Sequence, residues 1–545
     1  MGVRQAKPVA KLPDDLRQEA EKFRVYNFPF ENLVLEGGGA KGTAYIGAMM
    51  VLEDAGIMEN IHRFAGTSAG AVTAGLMSIG MTSEEIVKEM ENVDMARTLM
   101  DSPWWSRGPL RRLFFVWKVF KAFGLYAAAG DRFLEWYGEL IHRHLEKHHI
   151  HKGLGKNINL QQLRDVLGKE LCTVTYDLTF GIEIYCHAKT TPLCTVRQAV
   201  RQSISLPAVF VPYKFEDEPD LYIDGGVCVN FPIYCYDGWW LSMDDQSSFK
   251  SRLEDETDDI KTTSYFYKQC NEARFQSPNV SEEESKQQLQ KTLGLMVYSK
   301  TDRKAYQHVF SKRLDVLTKG YKIDMKNDRP RKTKLAKYVV FQIRERRYEK
   351  KEKDRNKRME DEKKKMEKNY DAKKQRLEEV LKAPQNREDM FKCFKDKFPK
   401  EELREFVDGE DSYEVVFDAL FAQYPGGPVT DKTIKGIFHN WEPFRKKLLD
   451  VVPQRIIDTP AELNTAYLEL LGQSKPIKEE DVGRCIAIDV DYVGTMDFNM
   501  EPEDQTFLMK QGARAALAFL EDYVKRNNLQ PSKSSPKSPM MVTGV

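Results

Sequence analysis

Ser68 lies in Gly66-Thr67-Ser68-Ala69-Gly70, after the short run Arg63-Phe64-Ala65 and before an alanine-rich stretch, Ala69 to Ser78, that reads as a helix. A serine bracketed by glycines between strand and helix sits on a tight, strained corner with its hydroxyl exposed. The free N–H groups and positive dipole end of the following helix favour a developing alkoxide, so the chemistry is nucleophilic attack. The pattern alone is weak, because small residues cluster at many turns; the flanking elements strengthen it. A second glycine corner, Leu33-Val34-Leu35-Glu36-Gly37-Gly38-Gly39-Ala40-Lys41-Gly42, precedes it. Several amides converging there can form an oxyanion hole, in which losing one donor typically costs about 10²–10³ in rate. The same glycines satisfy a dinucleotide fingerprint, which needs an acidic residue at the next strand end. Glu53 and Asp54 fall inside the helical stretch Thr43 to Ala55 instead, which demotes a nicotinamide cofactor. The plainest alternative is a turn that lets a helix pack on a strand.

A serine nucleophile needs a neighbour to take its proton. Asp224 follows the strand-like Leu221-Tyr222-Ile223 and precedes the turn Gly225-Gly226, so it is the leading candidate for the base. A triad would require a histidine after Asp224. Only His308, in the amphipathic stretch Thr292 to Leu317, and His439, in a compositionally different region, follow it. An aspartate with an ordinary pKa of about 3.9 is a weak base, so burial is expected to raise it toward the working pH.

These three motifs, Leu35 to Gly42, Gly66 to Gly70 and Asp224-Gly225-Gly226, resemble the signatures of the patatin-like phospholipases. The segment Ala199 to Phe210 and Asn230-Phe231-Pro232 are similar to that family's surroundings of the aspartate. Gly226 stands where many members carry alanine, a small difference. The resemblance covers roughly residues 28 to 310, with a returning piece near 483 to 527. It implies a three-layer α/β/α fold with a mainly parallel central sheet. It also implies a two-member site in which Ser68 attacks an ester carbonyl and Asp224 carries the proton. Gly37, Gly38, Gly39, Ala40, Lys41 and Gly42 would form the oxyanion hole, and Gly66 and Gly70 the nucleophile elbow. The implied substrate is a phospholipid or other acyl lipid, with no cofactor and no metal. Lys41 either positions the loop, meets a lipid phosphate or is a surface helix charge. The rival class is a lipid-binding or scaffolding protein that keeps the fold without turnover.

The elements that position these residues begin in βαβα order, which implies parallel strands with right-handed crossovers. Leu171 to Tyr185 reads as one or two strands, Ala199 to Ser203 as a short helix. At 545 residues the chain has room for more than one domain. Five segments are expected: an N-terminal extension (1–27), the first part of a catalytic domain (28–320), a helical, highly charged insertion (321–480), the closing strand and helix (481–528) and a tail (529–545) rich in Ser, Pro and Lys. Within the insertion, Arg344 to Lys382 reads as a charged, exposed helix whose apolar stripe is thin for a coiled coil. No partner is assigned to it.

A formal net charge of +1 gives no global attraction to nucleic acid. The eight scattered cysteines, without CxxC spacing, argue for reduced thiols in a cytoplasmic protein. No signal peptide or membrane-spanning run is evident, so a soluble or membrane-peripheral protein is expected. Residues 104–123 interleave Trp104, Trp105, Phe114, Phe115 and Trp117 with Arg111, Arg112 and Lys118. They read as a cap helix over the site, with contact to a lipid surface as a compatible second use. His142, His144, His148, His149 and His151 read as solvated surface at a helix end, since carboxylates are sparse in the sequence around them.

Overall fold

The protein is described by a computed structural model that covers residues 12–91, 130–149, 154–242 except 208, 216–219 and 239, 282–299, 310, 313, 328–337, 372, 375–381, 387–403, 412–421, 477 and 479–532. It divides into two compact units, Met1–Tyr338 with Thr459–Val545, and Val339–Asp458.

The first unit is built on a seven-stranded sheet. Its strands are β1 (Asn32–Leu35), β2 (Arg63–Thr67), β3 (Glu170–Asp177), β4 (Ile182–Cys186), β5 (Tyr222–Asp224), β6 (Thr292–Tyr298) and β7 (Cys485–Asp489), in the order β4-β3-β2-β1-β6-β7 with β5 also on β3. The four pairings β1–β2, β1–β6, β2–β3 and β6–β7 are parallel, whereas β4 and β5 run antiparallel to β3. The mainly parallel sheet expected from the βαβα start is therefore present. Strands β1, β2, β6 and β7 are buried throughout, as strands covered on both faces must be.

Thr292–Tyr298 departs from expectation. It reads as amphipathic in sequence but is the buried strand β6, and Gly294 in its middle faces Phe231, Ile233 and Cys485 so closely that a Cβ would lie 2.7 Å from the first two side chains. A fully buried strand shows no alternation, which hides it. Leu171 to Tyr185 resolves into two strands, β3 and β4, joined by a turn.

Helices α1 (Asp14–Glu21), α2 (Thr43–Asp54), α3 (Ala69–Ser78), α4 (Ser83–Glu91), α5 (Asp131–Lys147), α6 (Leu160–Leu167), α7 (Val196–Ser203), α8 (Glu282–Gln290) and the closing α9 (Pro502–Arg526) flank the sheet. Helix α2 is buried from Thr43 to Leu52. It meets α9 backbone to backbone: a Cβ on Gly47 would lie 1.8 Å from the Met509 carbonyl oxygen, and one on Gly512 1.9 Å from that of Ala44. Only glycine permits this reciprocal approach. The returning piece is thereby locked to the helix that follows the glycine loop. Arg484, buried beside β7, adds an ion pair network with Asp237 and Asp481 and donates to the Leu289 carbonyl at 3.2 Å.

In the second unit, Leu377, Val380 and Leu381 join Met390, Phe394, Phe398, Leu403, Val416, Phe417 and Phe421 in a small buried core. The C-terminal end of the charged stretch is therefore not an exposed helix face but a packed one. Residues 344–371, on which the coiled-coil question turns, lie outside the described residues, as do 104–123, His308, His439 and the tail from 533. Among the described residues no helix is long and apolar enough to cross a membrane.

Candidate active site

β2 ends at Thr67 and α3 starts at Ala69, leaving Ser68 to make the whole turn. Its φ of 54° and ψ of −123° lie in a region that side-chain-bearing residues rarely adopt, at a typical cost of about 1–3 kcal/mol. The flanking glycines explain how the turn closes. A Cβ on Gly66 would lie 2.4 Å from the Gly70 carbonyl carbon, and one on Gly70 2.4 Å from the Leu35 carbonyl oxygen. The start of α3 thus rests on the end of β1. Two further hydrogen bonds hold the corner: the Ser68 N–H donates to Ser203 Oγ at 3.0 Å, and Thr67 Oγ1 donates to the Val229 carbonyl at 2.9 Å.

Strand β3 aligns the second component. Val174 pairs with Thr67 of β2, and the next residue, Thr175, pairs with Asp224 of β5. Because β4 occupies the other edge of β3 there, β5 continues the row that β2 leaves at the elbow. Ser68 and Asp224 are brought together by this shared ruler. The Ser68 side chain is close enough to the Asp224 carboxylate to act on its ionisation, and the Gly226 N–H donates to Oδ1 at 2.8 Å. Gly225 allows the turn, since a Cβ there would lie 2.4 Å from the Val174 carbonyl oxygen.

Asp224 is 1% exposed. Burial pushes its carboxyl up to about 7, against the opposing pull of the Gly226 hydrogen bond and the Ser68 side chain. Its backbone N–H donates to the Ser205 carbonyl at 3.0 Å. Ser205 is in turn fixed by Arg201, which is buried, donates to Ser205 Oγ at 2.6 Å and lies over the Phe210 ring. The stretch Ala199 to Phe210 thus supports both partners: Ser203 serves the elbow and Ser205 the aspartate. Neither role is visible in the sequence, where the stretch stands out only by its resemblance.

The glycine loop lies against the serine, for a Cβ on Gly37 would sit 3.2 Å from Ser68 Cβ. Its amides are not equivalent. The Gly37 N–H donates to the Asn230 carbonyl and the Ala40 N–H to that of Thr495, both at 2.9 Å, and the Lys41 N–H donates to Gly38 at 3.2 Å. The expectation that the whole stretch Gly37 to Gly42 offers donors therefore narrows. Gly38 and Gly39, whose N–H groups have no hydrogen-bond partner among the described residues, are the ones available. Gly39 adopts φ +55°, with Thr495 packed where a side chain would go. Lys41 is buried, which removes its reading as a surface charge.

Asn230 and Glu36 complete the corner. Asn230 Nδ2 donates to the Gly37 carbonyl at 3.0 Å and to Glu36 Oε1 at 3.3 Å, and Glu36 Oε2 accepts the Val297 N–H at 2.9 Å. The acidic residues of the dinucleotide reading are engaged elsewhere, Glu53 on the Ser83 N–H at 2.8 Å and Asp54 with Arg17 at 2.8 Å. No histidine is among the described partners of Ser68 or Asp224; the described His187 is buried and pairs with Glu170 at 2.9 Å. The histidine run differs from its reading as solvated surface: His144 is buried, and the fold brings Glu85 to it and to His148.

Residues 33–234 match the family model of the patatin-like phospholipases. Over these residues the chain is similar to that family. An uncharacterized protein of Acanthamoeba polyphaga mimivirus is 35% identical over 208 residues, which are 38% of this chain and 61% of that protein. YqhO of Bacillus subtilis is 34% identical over 211 residues, 37% of this chain and 65% of its own. The probable lipid hydrolase 463L of Invertebrate iridescent virus 6 is 28% identical over 204 residues, 37% of this chain and 62% of its own. The chain spans about three fifths of the length of these relatives. The patatin-like match ends between β5 and β6, yet the sheet continues through β6 and β7, so strands beyond the matched residues finish the patatin-like fold.

Proposed function

We propose that this patatin-like protein is a serine acyl hydrolase that cleaves ester bonds of phospholipids or other acyl lipids through Ser68 and Asp224. The observation that carries the proposal is a buried carboxylate, pushed up to about 7, beside a serine on a strained strand-to-helix turn. A base poised near neutral pH is what general base catalysis requires. The name of the iridovirus relative, probable lipid hydrolase, supports an acyl lipid substrate.

Ser68 Oγ attacks the ester carbonyl while its proton passes to Asp224. The negative charge that grows on the carbonyl oxygen meets the N–H groups of Gly38 and Gly39, assisted by the N-terminal end of α3. Collapse of the tetrahedral species breaks the ester bond, and the proton on Asp224 goes to the departing alkoxide. Water then attacks the acyl-serine, giving its proton to Asp224, which returns it to Ser68 as the fatty acid leaves. Gly66, Gly70, Gly225 and Gly226 act only by letting the backbones meet. We further infer that residues 28–320 and 481–528 form one catalytic domain interrupted by the charged insertion 321–480. Thr495, beyond that insertion, supports this division by holding Ala40 of the glycine loop.

A fluorophosphonate probe tests the reading. It is expected to label the wild type and not Ser68→Ala, and a lipid panel with mass-spectrometric identification of products names the substrate. A folded wild type that takes no label and releases no acyl group would overturn the proposal in favour of a lipid-binding protein.

A further inference from the structure

Helices α4 and α5 place three ligand-type side chains against one another, at a cluster the mechanism does not use. Glu85 stands on α4, and His144 and His148 stand four residues apart on one face of α5. Glu85 Oε2 lies 3.7 Å from His144 Nδ1, and Oε1 lies 3.0 Å from His148 Nε2. One donor atom from each residue falls within 4.8 Å of the others. A tetrahedral zinc ion with bonds of about 2.0–2.1 Å sets its donors about 3.3 Å apart, a spacing these side chains reach by drawing slightly closer around one carboxylate oxygen.

The His144 ring carries a second observation. It is buried and also hydrogen-bonds the backbone carbonyl of Ile79. Since Nδ1 faces Glu85, Nε2 is left to donate to Ile79, so the neutral ring presents a bare lone pair at Nδ1 toward a carboxylate oxygen. A ring whose far N–H is fixed by a backbone carbonyl is the arrangement that orients metal-binding histidines. The carboxylate is oriented as well, with Oε2 accepting the Thr82 N–H at 3.2 Å. Lys147 Nζ is 2.6 Å from Oε1, but its side chain is 65% exposed, and such a surface pair is weak enough to yield to a divalent ion.

We propose that Glu85, His144 and His148 bind a divalent transition metal ion, for which zinc is the best fit, and that the ion ties α4 to α5. Two imidazoles and one carboxylate suit zinc, whereas magnesium and calcium prefer oxygen donors throughout. Three protein ligands leave a fourth position for water. The site does not depend on Ser68 or Asp224 having any catalytic role.

The test uses the full chain, stripped with a chelator and titrated with zinc alone. Wild type is expected to bind one tight equivalent and to melt at a higher temperature with zinc than without. Glu85→Gln and His148→Ala should each weaken binding at least about tenfold and abolish the thermal shift, while His142→Ala binds as wild type does. His148 is exposed, so its loss leaves the packing of α5 intact. Cobalt in place of zinc should give the intense visible bands of a tetrahedral site in the wild type, a readout independent of any variant's folding. Absence of zinc binding, binding unaltered in both variants, or a weak octahedral cobalt spectrum would each overturn the assignment.

Discussion

Asn230 clasps Gly37 from both sides, donating its side-chain amide to the Gly37 carbonyl at 3.0 Å and accepting the Gly37 N–H on its own carbonyl at 2.9 Å. The segment that follows Asp224 and the glycine loop are therefore tied together by two hydrogen bonds. Asn230→Ala keeps the backbone bond and removes the side-chain one. The expected outcome is a kcat lower by about 10–10² with KM little changed, because donor placement is felt in the transition state. The unpaired buried carbonyl should also cost about 1–3 kcal/mol in a urea titration.

On the proposed mechanism Asp224 sets the pH profile. As the proposed base it would act only when ionised, so kcat/KM should rise with pH and level off above about 7. Stability runs the other way. A carboxyl raised on folding from the ordinary 3.9 to about 7 contributes stability that is complete below the unfolded value and is lost as pH climbs through 7. The difference is on the order of 4 kcal/mol. Asp224→Asn, which cannot ionise, should therefore gain on the wild type between pH 4 and 8 while losing activity. Denaturant unfolding at both pH values checks this.

The elbow stores strain that substitution can release. Ser68→Gly and Ser68→Ala both remove the proposed nucleophile and should both escape the fluorophosphonate label. Glycine adopts a φ of 54° freely and alanine does not. Ser68→Gly is expected to be the more stable of the two by about 1 kcal/mol, seen as a higher melting temperature. Equal melting temperatures would mean the turn relaxes without glycine.

The α2–α9 crossing tolerates no side chain at its contact. Gly512→Ala would drive a methyl into the Ala44 carbonyl, a backbone atom with no room to yield. A loss of about 3 kcal/mol or more is expected, against about 1 kcal/mol for an alanine at exposed Gly168, where nothing lies within 4 Å of a Cβ and only the φ of +62° opposes a side chain. The α9 variant should lose activity in parallel, since α2 continues from the glycine loop.

Both glycine corners were legible because a strained or crowded backbone leaves its mark in residue type: Gly66, Gly70 and Gly39 stand where a Cβ collides or φ is positive. Asp224 was legible from its place between a short strand and a glycine turn. Ser203, Ser205 and Asn230 act through contacts 135 to 193 residues away in sequence or through their backbone, and no local pattern carries that. β6 was hidden by its complete burial. Glu85 is 59 residues from His144, so no local sequence pattern joins them. The apolar positions Leu377, Val380 and Leu381 were too few among lysines and glutamates to announce a core, because their partners come from residues 390–421.

The carbonyl of Thr495 has a consequence for biosynthesis. It pins the amide of Ala40, and the helix behind it wedges against the one that leaves the glycine loop. A growing polypeptide exposes its serine and aspartate to the cell long before that clasp emerges from the ribosome. Until translation passes residue 520 or so, the glycine loop lacks the partners that hold it in the finished fold.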